Sequence, residues 1–471
     1  MTGLHEKQLS TKNQFRTMKK LIVMILGFIP LICYAQVGPA FPVDGGIWNL
    51  VGQNPLHDGP SAYSSIAFSR SGQPYIAFSD SLNGWKASVL KFNGTSWVLV
   101  GNAGFTAGEA DNLNIRLDAS DQPCVTFIDS GHGNGISAMR FNGSGWVYLG
   151  APGFSGTDAD YPSMAFNPAG KLFVAYTDYG NDGAVTMMGF DGNAWNPLGS
   201  PGFSLGLAES VSLAFSPLGQ PYVAYRDSVS SWKATVMTWD GTDWVEVGNP
   251  GFSEGEVDFT SMAVSSAGQP YVVFEDYANQ GKASVMKFDN PGWSYAGVPG
   301  FSSDTVNYCS IVFSREGQPA VAYEDYGHDG AATVRLFDGT SWVVVGTEGF
   351  STPGAEDLQM GVDPAGTVYV VWDDAGARVM HYSWNLGTGD IPGSELMVFP
   401  NPFNLTLKVK RGNLPAGICH VLLYDAGGRP RISMTTQEQE FSMDCPDLAP
   451  GVYILELKAG NSVARKQVMK F

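Results

Sequence analysis

The sequence predicts an all-β chain whose main body is a seven-bladed β-propeller, and three observations carry that prediction. Tryptophan recurs at one constant interval: Trp48, Trp97, Trp146, Trp195, Trp244, Trp293 and Trp342 stand 49 residues apart. A glycine follows each of them four positions later, at Gly52, Gly101, Gly150, Gly199, Gly248, Gly297 and Gly346. The chain also opens and closes on fragments of the repeat that complement one another. A period of ~40–50 residues holding about four short strands is the signature of a propeller blade.

The fourth copy shows the unit. Val211–Phe215, Gln220–Tyr225, Lys233–Trp239 and Trp244–Gly248 alternate apolar and small residues at period two, which is the pattern of strands. They are strands A to D. Ser216-Pro-Leu-Gly219 turns A into B, and Asp240-Gly241 turns C into D. Asn93-Gly94, Asn142-Gly143, Asp191-Gly192 and Asp338-Gly339 repeat that tight-turn chemistry, while the fifth copy has Asn290-Pro291 in its place.

The ends set the blade count. Gly46–Gly52 matches only strand D, six full units follow, and the seventh runs from Glu356 to Tyr382 without a strand D of its own. The N-terminal strand is expected to complete it, which removes the exposed sheet edges. Residues 36–386 are therefore assigned to the propeller. The B–C connection of the seventh copy is read as about four residues shorter than in the others.

Composition narrows the partners. The net charge of −18 argues against nucleic acid, because phosphate binding needs clustered Lys and Arg. Met18-Lys19-Lys20 followed by apolar Leu21–Ile32 reads as a signal peptide over 18–35, with Ala35-Gln36 as the cleavage point. That stretch is too short for a transmembrane span. Residues 1–17 read as an extension ahead of the true start. Cys33 does not make a lipoprotein signal, because Ile32 before it is too bulky. Cys124 and Cys309 lie in non-adjacent copies and read as small buried hydrophobes, whereas Cys419 and Cys445 share the C-terminal segment, where a bridge is open.

After a linker at 387–394 the texture changes. Val398-Phe-Pro-Asn-Pro402, Leu423-Tyr-Asp-Ala-Gly-Gly-Arg429, Leu448-Ala-Pro-Gly-Val-Tyr453 and the basic Arg465-Lys466 before Phe471 occur in order. With these motifs, residues 395–471 resemble the type A C-terminal sorting domain of the type IX secretion system of Bacteroidota. Phe403-Asn404-Leu405 departs from the usual residues after Asn-Pro. The resemblance implies a small immunoglobulin-like β-sandwich, recognition by the type IX secretion machinery, and a protein secreted or attached to the outer cell surface. The propeller resembles secreted bacterial seven-bladed repeats in general, without a family that names its ligand.

Two further positions keep the period. Asp80, Asp129, Asp178, Asp227, Asp276, Asp325 and Asp374 close strand B. Phe105, Phe154, Phe203, Phe252, Phe301 and Phe350 follow strand D in Gly-Phe pairs, with Leu56 first. Both sets fall on one face of the disc. The Asp set either accepts backbone N–H groups to hold its loops or offers a ring of carboxylates to sugars or cations. Trp85 and Trp232 occur in only two B–C loops, where other copies have small residues such as Gly183, Gly281 and Gly330, and are the better candidates for ligand contact.

Chemistry is sparse. The six histidines share no repeat position, and no metalloprotease, nucleophile-elbow or phosphate-loop motif occurs. Asp178–Gly183 and Asp325–Gly330 lack the ligand spacing and closing Glu of a calcium loop. Glu275-Asp276 and Glu324-Asp325 are strand neighbours that point to opposite faces, so neither pair would cooperate in catalysis. The expectation is a binding module for extracellular carbohydrate or protein, with no catalytic residues, cofactor or metal. A glycan-active enzyme and a passive surface component are the alternatives.

Overall fold

The computed structural model describes residues 46–384 and 396–470, apart from 53–54, 157, 316, 402, 412–413, 426–429, 450 and 461. The N-terminal extension, the signal peptide and the linker lie outside the described residues, as do parts of the tail motifs (Pro402, Ala426–Arg429, Pro450 and Phe471).

The described residues form a β-propeller and a second, smaller β-rich part. Seven four-stranded antiparallel sheets succeed one another along the chain. Six are built in sequence order, as in Ala208–Phe215, Pro221–Asp227, Lys233–Trp239 and Trp244–Glu246. The seventh joins Glu356–Val362, Val368–Asp373 and Ala377–Trp384 to the N-terminal strand Gly46–Leu50, with Trp48 opposite Tyr382. The first strand of each sheet packs on the first strand of the next, and Ser61–Phe68 packs on Glu356–Val362, so the sheets close into a ring with strand A innermost.

Two series of hydrogen bonds tie each sheet to its neighbour, and both run from side chains that recur at the 49-residue period. On the inside, a strand A hydroxyl accepts the N–H of the next sheet's strand A. Ser65 takes Ile115 N at 3.1 Å, Ser163 takes Leu213 N at 2.9 Å, and Ser212 takes Met262 N at 3.0 Å. Ser261 takes Ile311 N at 3.3 Å and Ser310 takes Met360 N at 3.1 Å. In the second sheet Asn114 instead donates to Pro162 O at 2.7 Å. In the seventh, the Gln359 carbonyl accepts Ile66 N at 2.8 Å and closes the ring.

On the outside, every strand D tryptophan donates its indole N–H to a carbonyl of the preceding sheet, for example Trp293 to Val247 O at 2.7 Å. Trp48 makes the closing bond to Val345 O at 2.9 Å. The Gly-Phe phenylalanine of one copy stacks flat on the tryptophan of the next, as Phe252 does on Trp293 at 3.9 Å and 8°. Phe350 on Trp48 matches it at the closure. Leu56 takes the phenylalanine's place in the first copy and is buried.

The glycine four residues after each tryptophan follows from the same packing. Gly101 has φ +79°, and a Cβ there would lie 3.0 Å from Phe141 and 3.1 Å from Trp146 of the next copy. Only glycine tolerates both the backbone and the approach of the neighbouring ring.

The core is correspondingly divided into seven clusters, each shared by adjacent sheets. Ala77 and Val89 of the first sheet pack with Ile115 and Phe127 of the second in one of them. Burying each such large side chain contributes roughly 1.5–3 kcal/mol.

The tail forms a three-stranded sheet (Met397–Phe399, Thr406–Lys410, Glu440–Asp444) and a four-stranded one (Pro430–Thr436, Cys419–Asp425, Gly451–Ala459, Ser462–Lys470). Their shared core contains Phe403, Leu407, Val421, Leu423, Phe441 and Leu455. Cys419 and Cys445 are both buried there as free thiols, so no bridge joins them. Arg411 is also buried and donates to the carbonyls of Pro415, Gly417 and Glu438.

Candidate functional site

The periodic aspartates sit where strand B meets the B–C loop, and in six copies they are saturated by their own surroundings. Asp276 accepts Ala278 N at 3.1 Å, Asn279 Nδ2 at 2.8 Å and Ser284 Oγ at 2.7 Å. Ser284 Oγ in turn accepts Gly300 N at 2.9 Å, the glycine of the Gly-Phe pair. Each carboxylate therefore caps a short turn and, through one hydroxyl, holds the D–A loop beside it. Asp80, Asp129, Asp178, Asp227 and Asp325 do the same through Ser88, Ser137, Thr186, Thr235 and Thr333. His132 and His328 take the place of the turn amide, bonding Asp129 at 2.9 Å and Asp325 at 3.0 Å.

The seventh copy departs from this. Asp373 and Ala377 pair around three residues (374–376), where Ser79 and Ala87 enclose seven (80–86), so the connection is four residues shorter and has no capped turn. Asp374 lies one residue beyond the end of its strand, contacting Thr352 and Arg378 instead.

Trp85 and Trp232 stand in the first and fourth sheets, so they do not share one site. Both have left-handed backbones, φ 57° and 61°, at a position that is glycine in the third, fifth and sixth copies. A bulky residue held there stores strain of order 1 kcal/mol or more, which the fold alone does not require. Trp85 is 39% exposed. The Trp232 ring lies 4.4 Å from the Arg226 guanidinium, which bridges Glu209 at 2.5 Å and Glu256.

Arg226 leads to a cluster at the mouth of the axial channel, on the same face. Each strand A carries a bulge near its start, with a non-glycine residue at φ between 47° and 56°: Tyr63, Asn112, Tyr161, Ser210, Phe259, Tyr308 and Asp357. The residue before each bulge faces the penultimate residue of strand B, or, in the seventh copy, its last residue. The residues of these facing pairs change from copy to copy. They include Glu209 with Arg226, Asp258 with Glu275, Asn307 with Glu324 and Glu356 with Asp373.

Burial, with neighbouring carboxylates, pushes the acids of this mouth upward. Glu275 and Glu324 rise to about 7 and Asp373 to about 6. Asp111, Asp160 and Asp357 shift in the same direction, also chiefly through desolvation. Glu324 Oε2 has no hydrogen-bond partner among the described residues. Beside these acids stand Tyr179, Tyr277 and Tyr326, each about half exposed at 49%, 49% and 50%. Tyr277 stands beside Glu275 and Tyr326 beside Glu324, and the Tyr326 hydroxyl accepts Asn307 Nδ2 at 3.0 Å.

Sequence reasoning passed over these groups. In the sequence Glu275 and Glu324 read only as strand neighbours of Asp276 and Asp325, which face the other way into the loop relays. The signal lay in the repeat: Glu275 and Glu324 correspond to Ser79, Ile128 and Thr177, and the three tyrosines to Ser81, Ser130 and Ser228. Deviation from the repeat marks the site, whereas adherence to it marks the scaffold.

Deeper in the channel is a cavity of about 530 Å³ lined by all seven inner strands. Arg116 reaches into it from the second copy, where the others have Ala67, Ala165, Ala214, Ala263, Val312 and Gly361.

Comparison with known proteins decides the tail. Residues 397–470 match the secretion system C-terminal sorting domain. The protein is thus secreted or attached to the outer surface of the cell, and its tail engages the secretion machinery. No helix among the described residues is long and apolar enough to cross a membrane. Among curated proteins nothing matches the sequence.

Among solved structures, a lectin from Aleuria aurantia, described as a six-bladed β-propeller with a fucose recognition mode, is similar at 15% identity. It covers 65% of this chain and 99% of its own, with a TM-score of 0.43. A protein of unknown function from Dyadobacter fermentans is 11% identical over 73% of this chain and 98% of its own, with a TM-score of 0.42. The extracellular domain of a protein described as a hybrid two component system from B. thetaiotaomicron is 11% identical. It covers 90% of this chain and 58% of its own, with a TM-score of 0.47.

Proposed function

We propose that residues 36–386 form a seven-bladed propeller, closed by its N-terminal strand and joined through 387–394 to a sandwich-like sorting domain at 395–471. We propose further that this propeller binds extracellular carbohydrate at the mouth of its channel. The observation that carries the reading is the set of half-exposed rings, Tyr179, Tyr277 and Tyr326, standing directly beside carboxylates. Sugars offer a C–H face that stacks on such rings and hydroxyls that donate to carboxylates, so the two groups together fit one ligand class. Trp232 and Trp85 extend the aromatic surface outward on the loop face. Six of the seven periodic aspartates serve as loop supports in this reading, not as contacts.

The test is a glycan array probed with the secreted chain, followed by titration of hits against Tyr277→Ala/Tyr326→Ala and Trp232→Ala. The reading expects saturable binding that weakens at least tenfold in the tyrosine variant while the circular dichroism spectrum is unchanged. An array without hits, or hits indifferent to the tyrosines, refutes it and leaves a protein ligand as the better account.

One observation favours a second reading, a glycan-active enzyme. Glu275 and Glu324 occupy equivalent positions in adjacent copies and both rise to about 7, the range of a general acid. Release of reducing ends from an array hit, abolished by Glu275→Gln or Glu324→Gln, would establish it.

A further inference from the structure

Among apolar lining residues such as Phe68, Leu213 and Met360, the axial cavity carries a circle of hydrogen-bond donors. Ser163, Ser212, Ser261 and Ser310 each use the hydroxyl oxygen to accept the next strand's N–H, and none of the four hydroxyl protons has an acceptor among the described residues. The Gln359 carbonyl is taken by Ser65 Oγ and Ile66 N, and the amide NH₂ of this cavity-lining residue has no acceptor among the described residues.

Arg116 adds a full positive charge. Its only hydrogen bond is to the neighbouring Ile115 carbonyl, at 2.7 Å, and it forms no ion pair among the described residues. Burial alone lowers its pKa, with no carboxylate acting on it. Asp363, the one carboxylate lining the cavity among the described residues, is engaged in its own hairpin, where it accepts Thr367 N at 2.8 Å.

The Arg116 side chain is only partly shielded from solvent and has no counter-charge among the described residues, and removing it should cost the fold little, because six copies manage with Ala, Val or Gly at that position. A charge retained under those conditions, inside a ring of free donors, calls for an anionic partner. We propose that the axial cavity is a binding site for a small oxyanion (a carboxylate, sulfate or phosphate group), clasped by Arg116 and the serine hydroxyls. Planar or tetrahedral oxygen acceptors match both the forked guanidinium and a circle of hydroxyl donors. The site is separate from the tyrosine-rimmed mouth and does not depend on the carbohydrate reading.

The experiment is calorimetric titration of the full chain with sodium phosphate, sulfate and acetate in a zwitterionic buffer without added salt, in parallel with thermal unfolding. Wild type is expected to bind at least one of the three saturably. Arg116→Ala should weaken that binding at least tenfold, and Arg116→Lys should keep part of it. In anion-free buffer Arg116→Ala should melt at or above the wild-type temperature, and the bound anion should raise only wild type and Arg116→Lys. Preference for acetate would point to a carboxylate-bearing ligand, and preference for phosphate or sulfate to an inorganic or esterified oxyanion. Absence of saturable binding for all three anions, or equal affinity in wild type and Arg116→Ala, overturns the proposal.

Discussion

Asp276→Ala measures how much the loop relay contributes. The side chain is fully buried and accepts three hydrogen bonds, from Ala278 N, Asn279 Nδ2 and Ser284 Oγ. The first two donors lie in an exposed turn and can turn to water, so each loss costs about 0.5–1.5 kcal/mol. The Ser284 hydroxyl is fully buried and cannot, and stranding it adds about 1–3 kcal/mol. The sum is roughly 2–6 kcal/mol. Asp276→Asn keeps one acceptor but turns an NH₂ toward a donor, so it should recover only part of that. Ser284→Ala removes the stranded hydroxyl and releases Gly300 N, so the double variant should be less destabilised than the two single variants added together, by at least about 1 kcal/mol. Urea unfolding followed by tryptophan fluorescence reads all four proteins. A cost below about 1 kcal/mol for Asp276→Ala, or strict additivity with Ser284→Ala, would show that the relay is not what holds these loops.

Further expectations follow from the ring and the mouth. Glu275 and Glu324 bind protons more tightly folded than unfolded, so their contribution to stability is fullest below about pH 4.5, falls as pH rises to about 7, and is level above that. The fall is at most about 3 kcal/mol per residue, and Glu275→Gln/Glu324→Gln should flatten it and raise the melting temperature at pH 8 but not at pH 4; a steeper fall in that variant contradicts the assignment. Trp48→Phe loses the closing indole bond to Val345 O and should cost about 1–3 kcal/mol, matching Trp195→Phe, whose bond to Leu149 O lies within the continuous chain. A negligible effect of Trp48→Phe beside a clear effect of Trp195→Phe would mean that closure rests elsewhere. Arg411→Met removes a buried cation that satisfies three carbonyls and should destabilise the tail by about 3–5 kcal/mol, seen as lowered export together with proteolysis of the tail; undiminished export with a stable tail contradicts it.

Much of the scaffold was legible because each repeat contact is local to two copies. The tryptophan, the glycine four residues on and the Gly-Phe phenylalanine meet at one interface, so a 49-residue period in the sequence is a contact in space. The aspartates were visible for the same reason, but their role was not. A carboxylate looks alike in sequence whether it caps a turn or faces a ligand, and only the Ser284 and Gly300 partners distinguish the two. The mouth was illegible because its members are scattered: Arg226, Glu275, Tyr277 and Glu324 come together only when neighbouring sheets pack around the axis.

By itself, then, the sequence determined the all-β class, the repeat and its complementary ends, and the export tail, because periodicity and contiguous motifs survive without coordinates. Tertiary structure decided which equivalent positions converge. Strand A lies innermost, so residues 49 apart along the chain become neighbours around one axis. That convergence buries Glu275 and Glu324 among other acids, and it leaves Arg116 alone in a ring of hydroxyls. Electrostatic environment depends on distance through space, which the order of residues in the chain does not contain.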